Sequence, residues 1–282
     1  MKNKVWFVTG ASKGLGLALV KKLLQEGFYV AATSRNVSEL ENAIGESNDR
    51  FFPLSMNLVN EADVEQCIKR TIDHFGSIDV VVNNAGFGLV GGLEELTDAE
   101  VRTNFEVNVF GALHVIRKVL PHMRRQNSGY IFNIASVGGF VGTFPGFGIY
   151  CATKFAMHGF TESLAAEVKP LGINATIVSS GYFRTNFLDS SLQVPANPIA
   201  EYKAVRESQN THQLNINGKQ PGDPERAASV LITVSEMKEA PLHLFLGADA
   251  YQFVEQKINW LQDSMRSIES LATSTAFQES IV

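Results

Sequence analysis

Tyr150 and Lys154 stand four residues apart, one helical turn, and a phenol beside an ammonium is a pair that can move a proton. A phenol with an ordinary pKa of about 10 is a poor proton shuttle at neutral pH unless a neighbouring cation steadies the phenolate. A second set of residues lies at the other end of the chain. Gly10, Gly14 and Gly16 form G-x-x-x-G-x-G directly behind the apolar run Val5 to Val8. A strand that delivers glycines to a helix start exposes backbone N–H groups and the positive end of the helix dipole, which together suit a pyrophosphate. The first glycine serves a tight turn, the second lets the backbone approach phosphate, and the third lets helix pack on strand. A proton donor and a phosphate cradle in one chain point to nucleotide-dependent redox chemistry.

The second strand decides which nucleotide. Dinucleotide sites usually place an acid there for the ribose hydroxyls, but Val30-Ala31-Ala32-Thr33-Ser34-Arg35-Asn36 has no carboxylate and supplies Arg35. Arg35 can fork onto a 2′-phosphate, and Lys13 sits in the glycine turn between Ser12 and Gly14-Leu15. Two cations in place of an acid predict NADP(H).

Seven short apolar, β-branched runs must position these groups: Val5 to Val8, Val30 to Thr33, Phe51 to Leu54, Val80 to Asn83, Tyr130 to Ile134, Ala175 to Val178 and Leu242 to Leu246. Amphipathic helical stretches separate them, and the runs are nearly continuous in apolar residues, as strands covered on both faces should be. The expected fold is α/β, a single-domain doubly wound, Rossmann-type parallel sheet with helices on both faces. Ser136 follows one of these runs and should project from the carboxyl edge. Thr97-Asp98-Ala99-Glu100 reads as a capping box before a helix reaching about His122 and carrying Asn108, and Asn60 caps the helix with Cys67. Residues 1–247 form the dinucleotide-binding and catalytic domain. Within it, 182–223 loosens into Asn, Gln, Ser and Pro, with short periodicity at Ala200 to Ser208, and reads as a mobile substrate lid. Residues 248–282 read as a helical extension to about Ala272 (Phe253, Ile258, Leu261, Met265, Ile268, Leu271) and a tail. There is no internal repeat.

Bulk properties exclude several classes. The 282 residues are 45% apolar, enough for a sizeable core, and 24 Lys and Arg against 29 Asp and Glu leave a net charge of −5 with no like-charge block. No nucleic-acid or membrane partner is expected. Lys2 and Lys4 precede an apolar run too short for a signal segment, and no run reaches the ~18 residues of a bilayer span. Two cysteines, Cys67 and Cys151, are too few for a disulfide framework, so a cytoplasmic location is expected. Cys151 reads as a packing residue, and the six histidines show no metal-ligand spacing, so no metal is expected.

T-G-x-x-x-G-x-G at Thr9 to Gly16, Asn83-Asn84-Ala85-Gly86, Asn108, Ser136 and Tyr150-x-x-x-Lys154 occur in one order and spacing. From about Lys4 to Leu246 the chain resembles the short-chain dehydrogenase/reductases. The resemblance implies Tyr150 as acid/base, Ser136 bonding the substrate oxygen, Lys154 on the nicotinamide ribose, and Asn108 holding a water in a proton relay. It implies cofactor contacts from Asn57, Leu58, Asn84, Ala85, Gly86, Gly181 and Thr185, the last at the carboxamide, and a homodimer or homotetramer using the helices of Asn108 and Tyr150. Two positions depart from the family. Ser180-Gly181 replaces Pro-Gly, which predicts a looser turn before Thr185, and Asn57 replaces an aspartate yet keeps a carbonyl acceptor for adenine. Phe87, Val137, Phe140, Phe144, Phe147, Tyr182, Phe183 and Phe187 fall around the expected pocket, which favours NADPH-dependent reduction of a hydrophobic ketone or aldehyde, reversible from the alcohol. Two rivals are a non-catalytic NADP(H)-sensing protein, disfavoured by intact Ser136, Tyr150 and Lys154, and a sugar-nucleotide epimerase or dehydratase, disfavoured by the glycine spacing and short carboxyl-terminal portion.

Overall fold

The computed structural model describes residues 4–277. The chain runs β1 (Val5–Thr9), α1 (Gly14–Gln25), β2 (Tyr29–Ser34), α2 (Val37–Ile44), β3 (Phe51–Ser55), α3 (Glu61–Phe75), β4 (Val80–Asn83), β5 (Gly88–Leu89) and α4 (Asp98–Phe105). It continues with α5 (Gly111–Gln126), β6 (Gly129–Ile134), α6 (Gly148–Val168), β7 (Ile173–Ser180), β8 (Leu192–Gln193), α7 (Lys203–Asn210), α8 (Pro224–Ser235), β9 (His243–Leu246) and α9 (Ala248–Ala272). The main sheet has seven parallel strands in the order β3-β2-β1-β4-β6-β7-β9. Its order reverses between β1 and β4, and the crevice where it does is the usual ligand site of such sheets.

The continuous apolar runs find their reason in β1. Trp6 and Val8 face a core layer with Leu19 and Leu23 of α1 and Leu231 of α8. Phe7, between them, faces the opposite layer with Ile68 of α3, Val115 of α5 and Leu164 of α6. Alternate side chains thus enter two different cores, so Val5 to Val8 are all apolar and all five residues of the strand are buried.

The caps act as their residue types suggest. The Asn60 carbonyl oxygen accepts from Ala62 and Asp63 N–H, and Thr97 and Glu100 form a reciprocal capping box. The helix from that box does not end near His122. It continues to Gln126 through a five-residue π turn, Glu106–Phe110, that sits between α4 and α5 and carries Asn108. Such a bulge rotates one side chain off the regular helix face and is frequent at functional sites.

Residues 182–223 are folded: β8 pairs with β5, and α7 runs into a second π turn, Thr211–Ile216. α9 occupies the extension. The expected tail begins at Thr273; Lys2 and residues 278–282 lie outside the described residues. Among the described residues, no helix is long and apolar enough to cross a membrane.

Candidate active site

The carboxyl ends of the central strands open into a cleft of about 530 Å³. At its floor, Gly10 has a φ of 65°, and a Cβ there would lie 2.7 Å from the Ala85 Cα, so only glycine allows the turn to meet the loop after β4. That loop is stapled to the turn. The Asn84 amide donates to the carbonyls of Thr9 and Gly10, both at 2.9 Å, and the Thr9 hydroxyl accepts from Asn84 and Ala85 N–H. Lys13, the N-cap of α1, gives no side-chain acceptor to the first N–H groups, and the first turn holds no acid. An uncapped helix start opening on a cleft fits a phosphate anion. Lys13 and Arg35 line the same end with Asn57 and Leu58, and both cations are exposed. These residues, with the Glu39 carboxylate beside them, fit the adenosine end of a dinucleotide.

At the other end, β6 delivers Ser136 and α6 delivers Tyr150, Cys151 and Lys154 to the wall. Lys154 Nζ lies 5.7 Å from the centre of the Tyr150 ring and donates to the Ile134 carbonyl at 2.9 Å. Phenol and ammonium share one side of α6. Both are buried, and burial sets their chemistry. It pulls the Lys154 ammonium down to about 8. It pushes the Tyr150 phenol above its ordinary value, outweighing the lowering by a hydrogen bond with Ser136. Desolvation thus prevails, and the phenol holds its proton. Burial also raises the Cys151 thiol to about 11, which removes it as a nucleophile.

Three of the expected positions lie off the cleft wall. Asn108 is not on the cleft wall. Its side chain accepts from the Phe87 N–H and donates to the Phe87 carbonyl, both at 3.0 Å, and donates to Thr153 Oγ1 at 3.1 Å. Thr153 in turn donates to the Tyr150 carbonyl, so Asn108 ties the β4 loop to α6. Gly16 also lies off the wall: a Cβ there would be 2.5 Å from the Asn84 amide nitrogen and 2.7 Å from the Gly10 carbonyl oxygen, the close packing expected of the third glycine. Phe140 turns away from the cleft towards Phe245 and His158, because the short 3₁₀ turn Val137–Gly139 reverses the chain ahead of it.

Gly86, Val137, Phe144, Gly181, Tyr182, Thr185 and Phe187 do line the cleft, as do Phe87, Phe147 and Phe183. The turn lacking proline at Ser180 is held from elsewhere. The Asp249 carboxylate, in the first turn of α9, accepts from Tyr182 N–H at 2.7 Å, and Gly181 N–H donates to the Leu246 carbonyl. A side chain at Gly181 would strike that carboxylate. The loosening expected of this turn is thereby countered.

Sequence reasoning missed the roof of the pocket. His212, in the second π turn, shares a hydrogen bond with the Tyr182 hydroxyl at 2.8 Å and packs 4.6 Å from the Phe147 ring. Below it, the fully buried Glu95 carboxylate accepts from Gly92 N–H, from Ile199 N–H and from Arg206, anchoring the segment before and within α7. Neither His212 nor Glu95 belongs to a local motif, so only the fold shows them. The same holds for His158, Glu162 and His243, whose ligand atoms converge within 4.8 Å outside the cleft. His158 Nε2 is bonded there to Ser179 Oγ, and the other two are exposed.

A parallel sheet with its switch point over a glycine turn, beside a Ser, Tyr and Lys cluster, defines a nicotinamide-dinucleotide oxidoreductase. The profile of the short chain dehydrogenase family matches residues 4–194, and the chain belongs to that family. It is 34% identical to the oxidoreductase BOA17 of Botryotinia fuckeliana over 97% of its length and all of that protein's. It is 32% identical to a 3-ketodihydrosphingosine reductase of Bacteroides thetaiotaomicron, covering 94% of this chain and 96% of that one. A short-chain dehydrogenase structure from Streptomyces avermitilis superimposes with a TM-score of 0.90 at 34% identity, covering 98% of this chain and 100% of that one.

Proposed function

We propose that this oxidoreductase reduces an apolar ketone or aldehyde to its alcohol with NADPH. The observation that carries the reading is the geometry of the cleft wall, where the buried Tyr150 phenol stands with Ser136 and with Lys154 Nζ 5.7 Å from its ring centre. A firmly protonated phenol is a donor, the form that reduction needs. When bound, the dinucleotide supplies hydride. Ser136 and Tyr150 orient the carbonyl oxygen, Tyr150 gives it a proton, and Lys154 supplies the positive charge that steadies the phenolate left behind. Aromatic walls from Phe144, Phe147, Tyr182 and Phe187 hold an apolar substrate by area and exclude water. The ketone reductase named among the relatives supports the direction of reaction. Arg35 and Lys13 support NADPH over NADH, and residues 182–223 serve as the substrate lid. Asn108 acts by holding Phe87 and Thr153 in place. Two buried thiols suit a reducing cytoplasm, and family resemblance supports a homo-oligomer.

The test is NADPH consumption with a panel of aryl and long-chain ketones, comparing the wild type with Tyr150→Phe. The variant should lose at least ~10²-fold in kcat, the usual worth of a positioned acid, while binding NADPH as before by calorimetry. Undiminished turnover in Tyr150→Phe, or no NADPH uptake by either protein, overturns the proposal.

A further inference from the structure

α9 begins on the body of the protein and leaves it. Ala250 and Val254 are buried against Val137 and Val141, but every described residue from Ile258 to Phe277 is exposed. Fifteen residues of helix, Ile258 to Ala272, about 22 Å at the usual rise, therefore have no cover from the described residues of their own chain. Helices of this length are marginal in water without tertiary packing. This one is also costly to leave bare: Met265 is 71% exposed, Trp260 58%, Ile268 53% and Leu271 70%.

The apolar positions follow a seam. Val254, Ile258, Leu261, Met265, Ile268 and Ala272 are separated by four, three, four, three and four residues. That is the 3.5-residue repeat by which two helices wind round each other with a left-handed twist, and no seam position is charged or polar. The seam starts where α9 is packed on its own body and runs out along the free part, beyond reach of any other surface of the same chain.

We propose that α9 is a self-association arm, in which two copies of this chain pair their Ile258 to Ala272 seams as a two-stranded coiled coil. A single apolar seam is complementary to itself across a two-fold axis, the commonest symmetry of soluble dimers. Pairing along it, with Leu271 as a flank, covers the seam side chains that the body of the protein leaves bare. Charge disfavours a lipid surface. Helices that lie on membranes carry Lys and Arg on the polar face, whereas α9 has Lys257 and Arg266 against Asp249, Glu255, Asp263 and Glu269. The arm is separate from any association through α5 and α6, and the proposal does not depend on the substrate or coenzyme of the cleft.

The full chain is compared by light scattering with two variants. Leu261→Glu with Met265→Glu places charge on the seam. Gln256→Glu with Ser270→Glu places the same charge on the opposite face of the helix. The wild type and the opposite-face variant should share one particle mass, and the seam variant should have half of it while keeping the wild-type near-ultraviolet circular dichroism. Equal masses for all three, or a wild type with the mass of one chain, overturns the proposal. So does flotation of the wild type, but not the seam variant, with phosphatidylcholine and phosphatidylglycerol vesicles, which would make lipid the occupant.

Discussion

Burial of one ammonium sets a pH limit on the reaction. Lys154 falls from an ordinary 10.5 to about 8 because its charge is desolvated, so it is charged at pH 7 and loses its proton as the pH passes 8. kcat/KM for carbonyl reduction should fall with one-proton dependence above about pH 8; a profile flat to pH 10 would contradict the role given to this cation. The stability contribution has the opposite sign. Between about 8 and 10.5 the unfolded chain holds a proton that the folded chain has released, so this group favours folding more as the pH rises, and the activity loss is not unfolding from this source. Arg35 predicts coenzyme choice. Arg35→Asp should raise KM for NADPH roughly 10- to 100-fold, the worth of a charge-assisted contact, and change KM for NADH little. Equal effects on both coenzymes would remove the phosphate argument. The residues legible in the sequence were those whose function depends on local spacing, as with Tyr150 and Lys154 on one turn. Asn108 and Phe140 lie off the cleft wall, because where their side chains point depends on a π turn and a 3₁₀ turn that residue spacing alone does not show.

Among the elements, the strands were readable because each run faces two cores, and Thr97 and Asn60 marked their helix starts by capping chemistry. The segment 182–223 was not, since its order comes from a distant carboxylate rather than from its own periodicity. Glu95 makes three hydrogen bonds that join the loop after β5 to Ile199 and α7. Burial raises the Glu95 pKa, but the Ile199 and Gly92 N–H groups and the Arg206 cation more than offset it, leaving it below the ordinary value. Glu95→Gln keeps the shape but leaves Arg206 without its counter-charge, at a cost of about 2 kcal/mol. Amide hydrogen exchange should quicken at Ile199 and through α7 while β1 and β4 keep their protection, and KM for the carbonyl should rise. Unchanged exchange at Ile199 would mean that the anchor does not hold the lid.

Over the whole molecule, a parallel sheet covered on both faces and a cleft at its carboxyl edge followed from alternating runs and helices, whereas the strand order and the length of bare helix on α9 needed the fold to show them. One consequence is optical. Only two tryptophans are present, and they occupy opposite extremes: Trp6 is sealed between Phe28 and Phe132, and Trp260 stands on the uncovered part of α9. Iodide should extinguish the red-shifted emission of Trp260 and leave the blue-shifted light of Trp6, so that a quenching plot bends to a plateau; a straight line would mean both indoles are equally wet. The chain thus carries two built-in lamps, one reporting whether the interior is intact and the other what is touching the arm.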